Sequence, residues 1–204
     1  MFRNDPAGPL SRLYHNARGA RVARTAHLPI TSRLSPRTRI GANTWINGPA
    51  TCKGGGTISI GAHCAIGQDL LITTTNHDTR FANMMLRMHW EQGFLDLEGS
   101  DDVTVGPASW IGDRVTVLPG AHIGAGVVIA AGSVVTRRSY PDYAVLAGTP
   151  ARVLKMRAAP DVVAVLVEAQ WWTWPSDRVA RNRAFFETDI SSADAATVRS
   201  LIVD

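Results

Sequence analysis

The sequence VGPASWIGDRVTVLPGAHIGAGVVIAAGSVV, residues 105–135, carries an aliphatic residue at every sixth position. The members of this series are Val105, Ile111, Val117, Ile123, Ile129 and Val135. Glycine or another small residue often follows the aliphatic one, and an earlier block has the same spacing at Ile40 and Ile46 and again at Ile60, Ile66 and Ile72. The chain therefore contains an internal repeat with a period of six.

A period of six fits neither of the common regular structures. An amphipathic helix repeats near 3.6 residues, and a plain strand alternates for a few residues before a turn. Six-residue units with glycine beside the aliphatic residue are typical of short strands joined by tight corners. Three units complete one coil, and coils stack at roughly 4.8 Å, so that each aliphatic residue lies on its counterpart one coil along. The repeat predicts a parallel β-helix of about five coils over residues 38–157.

The repeat is lost between Ile72 and Val105, where the sequence becomes first polar, then aromatic and rich in methionine, then acidic. Long irregular insertions in compact folds are usually functional or disordered, and the many large apolar residues argue against disorder. We expect an extruded loop over residues 74–104, either as an apolar lid or as the wall of an acceptor pocket. Two flanking segments complete the predicted organisation: an N-terminal arm, residues 1–37, and a C-terminal helical extension, residues 158–204.

Composition excludes several classes of protein. No stretch approaches the roughly 18 apolar residues of a membrane-spanning helix, and no secretory signal is visible, so we expect a cytoplasmic protein without a membrane span. The net charge of +4 suits an anionic ligand, but the basic residues form no stripe with interleaved aromatics, which argues against nucleic acid. The two cysteines have neither disulfide nor metal-site spacing.

The repeat, the segment Ser109–Arg138 and the closing AGTPARVLK, residues 147–155, resemble the hexapeptide-repeat acyltransferases. The branches that come nearest are the galactoside and maltose O-acetyltransferases, the glycan O-acetyltransferases and the xenobiotic acetyltransferases. The resemblance covers roughly residues 38 to 175. It implies a left-handed coil, a homotrimer with active sites between subunits, and acetyl-CoA as the cosubstrate without any metal.

His77 opens the extruded loop in the sequence Asn76-His77-Asp78, where the family carries its catalytic histidine in a similar context. A hydroxyl is a poor nucleophile at neutral pH, and a neutral imidazole can remove its proton as it attacks a thioester carbonyl. The resemblance therefore implies that His77 is the general base of a direct transfer. Cys64 falls on a small inward-facing repeat position, and neither cysteine has a basic neighbour in sequence, so we expect both to be structural.

Three further residues are predicted to bind the acceptor. Asn47 has the same offset from Ile60 as an acceptor-binding asparagine of the galactoside and maltose branch, although a corner asparagine with left-handed backbone would look the same. Asp78 is placed to orient the His77 ring or to contact the acceptor. Trp90 belongs to the apolar part of the loop that would wall the pocket.

The resemblance places the cofactor along the later coils. Trp110 matches an aromatic residue beside the cofactor, and Ala131 matches a residue whose backbone contacts the pantetheine arm. Thr136 and Arg137 stand where the family commonly has Thr-Lys, so the planar guanidinium leaves the detailed contact open. Arg152 and Lys155 would contact phosphate or adenine.

The run Trp171-Trp172-Thr173-Trp174-Pro175 resembles the extension of the xenobiotic and some glycan branches, and we expect it to cap the coil. Three functions remain open. The first is O-acetylation of a sugar, nucleotide sugar or glycan precursor, and the second is acetylation of a streptogramin- or chloramphenicol-type antibiotic. The third is a metal enzyme of the carbonic anhydrase type, which the spacing of the histidines disfavours, or a non-catalytic scaffold. The sequence identifies neither the acceptor nor the length of the acyl chain.

Overall fold

The computed structural model describes residues 8–94 and 99–204. Helix α1 spans Gly8–Ala17 and precedes a solenoid of short parallel strands. The strands of its first three turns are β1 (Arg21–Val22), β2 (Arg33–Leu34), β3 (Thr38–Ile40), β4 (Trp45–Ile46), β5 (Ala50–Lys53), β6 (Ile58–Ile60), β7 (Ala65–Ile66) and β8 (Leu70–Thr73). The first seven residues of the predicted N-terminal arm lie outside the described residues.

An excursion follows the third turn. It contains β9 (Thr75–Asn76), helix α2 (Leu86–Gln92) and β10 (Gly99–Ser100). The solenoid then resumes with β11 (Val103–Val105), β12 (Trp110–Ile111), β13 (Thr116–Val117), β14 (Ala121–Ile123), β15 (Val128–Ile129), β16 (Val134–Val135), β17 (Arg138–Tyr140) and β18 (Ala144–Gly148). Strand β19 (Ala151–Met156) folds back antiparallel on β18.

The strands form the three faces of a parallel β-helix. The first face has the order β1-β3-β6-β11-β14-β17, the second β4-β7-β12-β15-β18-β19, and the third β2-β5-β8-β13-β16. In the first turn a single bridge from His27 to Trp45 stands in for a strand on the second face. The parallel β-helix and its extruded loop are confirmed.

The six-residue repeat supplies the core. Ile111 pairs with Ile66 on one side and Ile129 on the other, and all three side chains are buried. Val117 pairs in the same way with Ile72 and Val135. Each aliphatic side chain therefore stacks on its counterpart one turn along, because the side chains of a β-strand alternate between the two sides and only the inner side excludes water.

The solenoid has about six turns rather than five, since β1 pairs with β3 and β2 with β5. The additional turn precedes residue 38, within the segment predicted as an arm. Its inward residues continue the spacing of six at Val22, Leu28 and Leu34, but no glycine follows them, and the pattern is correspondingly harder to recognise.

The last turn also departs from the predicted phase. Extended beyond Val135, the spacing of six would reach Pro141, Ala147 and Val153. Instead Tyr140 pairs with Ile123 and Leu146 with Ile129, so this turn is one residue shorter than the 18-residue turn before it. Val153 lies on antiparallel β19 and is exposed, so it does not continue the inward series.

One edge of the solenoid is built from a column of left-handed residues between the first and second faces. Asn43, His63, Ala108 and Tyr143 have φ between 56° and 59°, and Gly126 has φ 64°. A left-handed residue closes this corner in each of turns two to six, and non-glycine residues accept the strain because the stacked ladder holds them.

The C-terminal extension consists of α3 (Pro160–Ala169), a 3₁₀ turn (Trp171–Thr173), α4 (Ser176–Arg181), α5 (Arg183–Glu187) and α6 (Ala195–Ser200). It forms a second apolar core around Val162, Leu166, Trp174 and Phe185, which Tyr143 of the solenoid joins. His63 also contacts Trp171 edge to face. The extension thus packs along the left-handed edge, where its tryptophans serve as packing residues.

Candidate active site

His77 lies where the chain leaves the edge between the third and first faces. Strand β8 ends at Thr73, and Asn76 pairs with Gly99 in the short antiparallel ladder of β9 and β10. This ladder joins the two ends of the excursion. The backbone N–H of His77 donates to Oδ1 of Asn76 at 3.0 Å. The backbone of His77 is therefore held next to the solenoid, although its side chain is exposed.

The ring of His77 is oriented by a backbone carbonyl. Its Nδ1 lies 2.7 Å from the carbonyl oxygen of Met84. A carbonyl oxygen only accepts hydrogen bonds, so Nδ1 must carry the proton. In the neutral ring Nε2 then holds the free lone pair, which is the arrangement that a general base requires.

Asp78 does not orient His77, contrary to one of its two predicted roles. Its carboxylate instead binds the guanidinium of Arg80, with Nη2 to Oδ2 at 2.6 Å and Nε to Oδ1 at 3.0 Å. These bonds and the charge of Arg80 lower the pKa of Asp78 to about 2. The carboxylate is therefore ionised and engaged, and the Met84 carbonyl orients the imidazole.

Trp90 lies on α2, and 59% of it is exposed. The excursion exposes other large apolar side chains as well, namely Phe81, Met84, Met85, Met88 and Phe94. This concentration of exposed apolar side chains around the candidate base is the kind of surface that binding sites and subunit contacts use.

Asn47 lies on a different edge of the solenoid from His77. It follows β4 at the corner between the second and third faces, and its backbone N–H donates to the carbonyl of Ile66 at 2.9 Å. Its side chain is exposed. Within one chain the structure does not bring Asn47 and His77 together.

The predicted cofactor residues group mainly on the second face and its border. Trp110 points outward from β12, and Ala131 follows β15 one turn along. A Cβ on Gly112 would lie 2.6 Å from the backbone nitrogen of Ala131, so the two corners stack directly. Arg152 and Lys155 are exposed on β19, at the end of the same face, with Lys155 opposite Val145.

Thr136 and Arg137 lie apart from that group, two turns along the edge from which His77 departs. The backbone N–H of Thr136 donates to the hydroxyl of Tyr140 at 3.2 Å. The guanidinium of Arg137 forms an ion pair with Asp101, at the end of the excursion. Arg137 therefore ties the excursion to the solenoid, a contact that the repeat pattern alone could not reveal.

Both cysteines are buried, in agreement with a structural role. Burial raises the pKa of the Cys52 thiol to about 12 and that of Cys64 to about 11. The thiol of Cys64 also donates to the carbonyl of Gly106 at 3.4 Å. A protonated, enclosed thiol is a poor nucleophile, so neither cysteine is suited to carry an acyl group.

The described residues contain neither a metal-binding cluster nor a membrane-spanning helix. Residues 8–94 and 99–204 contain no group of three or more histidine, cysteine or acidic side chains placed to hold a metal ion. Within the same residues no helix is both long and apolar enough to cross a membrane.

Sequence reasoning missed the Met84 carbonyl and the partners Arg80 and Asp101. A backbone acceptor inside an irregular loop leaves no trace in residue types. Arg80 stands two residues after Asp78, a spacing that could have suggested the ion pair. Asp101 and Arg137 are far apart in sequence and meet only because the solenoid stacks them.

A family model described as bacterial transferase hexapeptide (six repeats) matches residues 102–137. A chloramphenicol acetyltransferase of Morganella morganii is 34% identical over 59% of this chain and 61% of its own length. A probable macrolide acetyltransferase of Lysinibacillus sphaericus is 31% identical over 63% of this chain and 76% of its length. A putative lipopolysaccharide biosynthesis O-acetyl transferase of Escherichia coli K12 is 39% identical over 48% and 50%.

A solved hexapeptide-repeat acetyltransferase of Vibrio cholerae, in complex with acetyl-CoA, aligns with a TM-score of 0.57 at 28% identity, over 71% of this chain and 74% of that one. This chain thus spans less than two thirds of the first relative and most of the second. Three findings agree: the match to the repeat model, the stacked strands of the parallel β-helix, and a relative that is 31% identical over 76% of its length. The chain belongs to the bacterial hexapeptide-repeat transferase family.

Proposed function

We propose that this protein is an acetyl-CoA-dependent O-acetyltransferase in which His77 is the general base. The observation that carries the proposal is the bond between Nδ1 of His77 and the Met84 carbonyl, because it leaves Nε2 free to accept a proton. The relatives named above are acetyltransferases, and the Vibrio cholerae structure is a complex with acetyl-CoA.

The transfer proceeds in two steps. Nε2 of His77 removes the proton of the acceptor hydroxyl while its oxygen attacks the thioester carbonyl, which forms a tetrahedral intermediate. The intermediate then collapses, the carbon–sulfur bond breaks, and the imidazolium returns the proton to the departing CoA thiolate. The result is an acetyl ester and free CoA, with no covalent enzyme intermediate.

The cofactor is proposed to run along the second face. Trp110 offers an exposed aromatic surface, the corner at Ala131 offers exposed backbone, and the cations of Arg152 and Lys155 lie at the end of the face. None of these cations has a carboxylate partner within residues 8–94 and 99–204. Their charge remains available for phosphate groups.

The separation of the two groups supports a homotrimer. His77 lies at the edge between the third and first faces, whereas Trp110 and Lys155 lie on the second face. In a threefold assembly one subunit would present its histidine to the second face of the next, and the closed symmetry would repeat the site three times. The exposed apolar side chains of the excursion would then be covered.

The acceptor is proposed to be a hydroxyl of a sugar, a nucleotide sugar or a glycan precursor. The relative with 39% identity carries a name in lipopolysaccharide biosynthesis. In addition to Trp90 of the excursion, Asn47 would contact the acceptor from its exposed corner, and Asp78 would do so together with its partner Arg80.

A second candidate is acetylation of an antibiotic. It is favoured by the names of two relatives, a chloramphenicol and a probable macrolide acetyltransferase. The chemistry at His77 would be the same, and only the surface that holds the acceptor would differ. The two candidate functions therefore differ in their acceptor substrate and share one mechanism.

The test is release of free thiol from acetyl-CoA, measured with a chromogenic thiol reagent across sugars, nucleotide sugars, chloramphenicol, a streptogramin and a macrolide. We expect acceptor-dependent release by a member of the sugar group. His77→Ala should lower kcat by about 10²-fold or more, as loss of a general base does.

His122→Ala is the matched control. His122 is also exposed, and its Nδ1 lies 3.1 Å from the hydroxyl of Thr104 on the first face. Its replacement should leave kcat within about twofold, as expected of a surface substitution. Release with an antibiotic alone would favour the second candidate, and release that survives His77→Ala would place the base elsewhere.

A further inference from the structure

A concave surface lies between α1 and the first two turns of the solenoid, away from the residues assigned above. This cleft encloses about 600 Å³. Its walls come from α1 and the residue after it, from the first turn and from the second turn. The side chains used below are Tyr14, His15, Arg18, Arg33 and Lys53.

The cleft is strongly cationic. Arg18, Arg33 and Lys53 all line it, and no carboxylate appears among its described lining residues. None of the three forms an ion pair within residues 8–94 and 99–204, whereas Arg80 and Arg87 of the excursion do. Three like charges around one concave surface raise its positive potential and attract anions.

The other polar side chains of the cleft also favour an anionic ligand. Arg18 stacks over the ring of Tyr14, with 5.4 Å from Cζ to the ring centroid, which holds its guanidinium at the cleft. The buried His15 lies in the wall with Nε2 unpartnered in the described part of the chain. Burial lowers its pKa, so it adds hydrogen-bonding capacity rather than a fourth charge.

The cleft adjoins the strand that leads to the candidate base. Lys53 pairs with Thr73 across β5 and β8, and the N–H of Thr74 donates to the carbonyl of Lys53 at 3.0 Å. The N–H of Gly55 donates to Oγ1 of Thr75 at 2.9 Å, two residues before His77. The backbone of Lys53 therefore lies one strand spacing, roughly 4.8 Å, from the segment that begins the excursion.

The cleft is also far from the cations assigned to the cofactor. Lys53 lies in the second turn, whereas Arg152 and Lys155 lie beside the sixth. Four turns separate them, roughly 19 Å along the solenoid axis. The nucleotide phosphates of acetyl-CoA and an anion in the cleft therefore occupy opposite ends of the same chain.

We infer that the acceptor carries a phosphoryl group, which Arg18, Arg33 and Lys53 bind while a sugar hydroxyl reaches toward His77. This inference rests on the proposed function and narrows it to a sugar linked to phosphate or diphosphate. It disfavours neutral sugars, and it disfavours amine-bearing drugs, which the three cations repel. The diphosphate could belong to a nucleotide sugar or to a lipid-linked sugar.

The direct test is calorimetric titration of the whole protein with inorganic pyrophosphate. We expect binding to wild type, and weakening of at least about tenfold in Arg33→Gln/Lys53→Gln, since each lost charge removes a charge-assisted hydrogen bond. Arg39→Gln is the control, because Arg39 is exposed on the first face and removes one charge outside the cleft. It should bind as wild type does.

Two further arms identify the source of the phosphate. UDP-N-acetylglucosamine and farnesyl diphosphate are each titrated in the same way. Tighter binding of the first indicates a nucleotide carrier, and tighter binding of the second indicates a lipid carrier. Prior saturation with acetyl-CoA should leave pyrophosphate binding unchanged.

Absence of pyrophosphate binding to wild type would overturn the inference, as would equal binding by Arg33→Gln/Lys53→Gln. Displacement by acetyl-CoA would do the same, because it would assign the cleft to the cofactor. Binding is measured without acyl transfer, so its failure is separable from failure of the proposed function. Pyrophosphate binding without thiol release would refute the proposed acetyltransferase function alone. Thiol release with neutral sugars alone would refute only the inference that the acceptor carries a phosphoryl group.

Discussion

Trp110 and Ile111 are neighbours on one strand, yet 58% of the first is exposed and the second is fully buried. The alternation of β12 puts Trp110 on the outer surface, where we propose that acetyl-CoA binds, and Ile111 in the core. Two substitutions one position apart should therefore have opposite consequences.

Ile111→Ala should lower the free energy of unfolding by about 2–5 kcal/mol, because it opens a cavity between Ile66 and Ile129. Trp110→Ala should change it by less than about 1 kcal/mol but weaken acetyl-CoA binding about tenfold. Urea denaturation and calorimetry measure the two quantities. A reversed pattern would mean that the second face is not the cofactor surface.

Asn83 is predicted to position the base through the loop that presents the Met84 carbonyl. Its side chain accepts from the N–H of Met85 at 3.1 Å and donates to the carbonyl of Met85 at 3.2 Å. Asn83→Ala should lower kcat about tenfold, since a loosened general base loses part of its contribution, and leave KM for acetyl-CoA unchanged. Asn83→Asp keeps the acceptor and should recover part of the loss. A change confined to KM would contradict a positioning role.

The Asp78–Arg80 pair should be visible in an acid titration. Hydrogen bonds from Arg80 lower the pKa of Asp78 to about 2, so the pair is intact above the unfolded value of about 3.9 and is lost as pH falls toward 2. In Arg80→Gln the Asp78 carboxyl should titrate nearer to its ordinary range. Carbon-13 shifts followed from pH 6 to pH 1.5 measure both midpoints, and an unshifted midpoint in wild type would show that the pair is absent in solution.

The thiols of Cys52 and Cys64 should not react with a chromogenic thiol reagent at pH 8 while the protein is folded. Burial raises their pKa values to about 12 and about 11, so the thiolate fraction is very small. In denaturant both should react. Rapid labelling of the folded protein would contradict the burial of these side chains. Slow reaction of the protein's own thiols would also keep the background of the thiol-release assay low.

The sequence predicted the solenoid well where glycine accompanies the repeat. Ile111 and Val117 were placed in the core because their spacing, and not their type alone, identified them. Val22 and Leu34 escaped because the same spacing lacked glycine. The last turn departs from the pattern because the step from Val135 to the next inward residue is five and not six, so Tyr140 and not Pro141 takes the inward position.

The candidate site was less accessible to sequence reasoning. His77 was singled out because it lies at the break in the repeat, where the family that the sequence resembles carries its catalytic histidine, a signal that residue type alone would not give. The group that orients it is a main-chain carbonyl, at Met84, which any residue could supply. The contact of Arg137 with Asp101 depends on which strands stack, and therefore on the three-dimensional register.

The pairing of β6 directly with β11 has a consequence for how such a protein can change. Val105 rests on Ile60 as though the residues between them were absent, although 45 positions separate the two. The excursion therefore does not interrupt the solenoid, because the strands before and after it pair directly. The part of the excursion after Met84 can therefore change in length and chemistry while the stacked core keeps its pairing, so a chain with that part exchanged should still fold and keep His77 in place. The solenoid and the surface that the excursion presents beside His77 can then diverge separately within a single polypeptide.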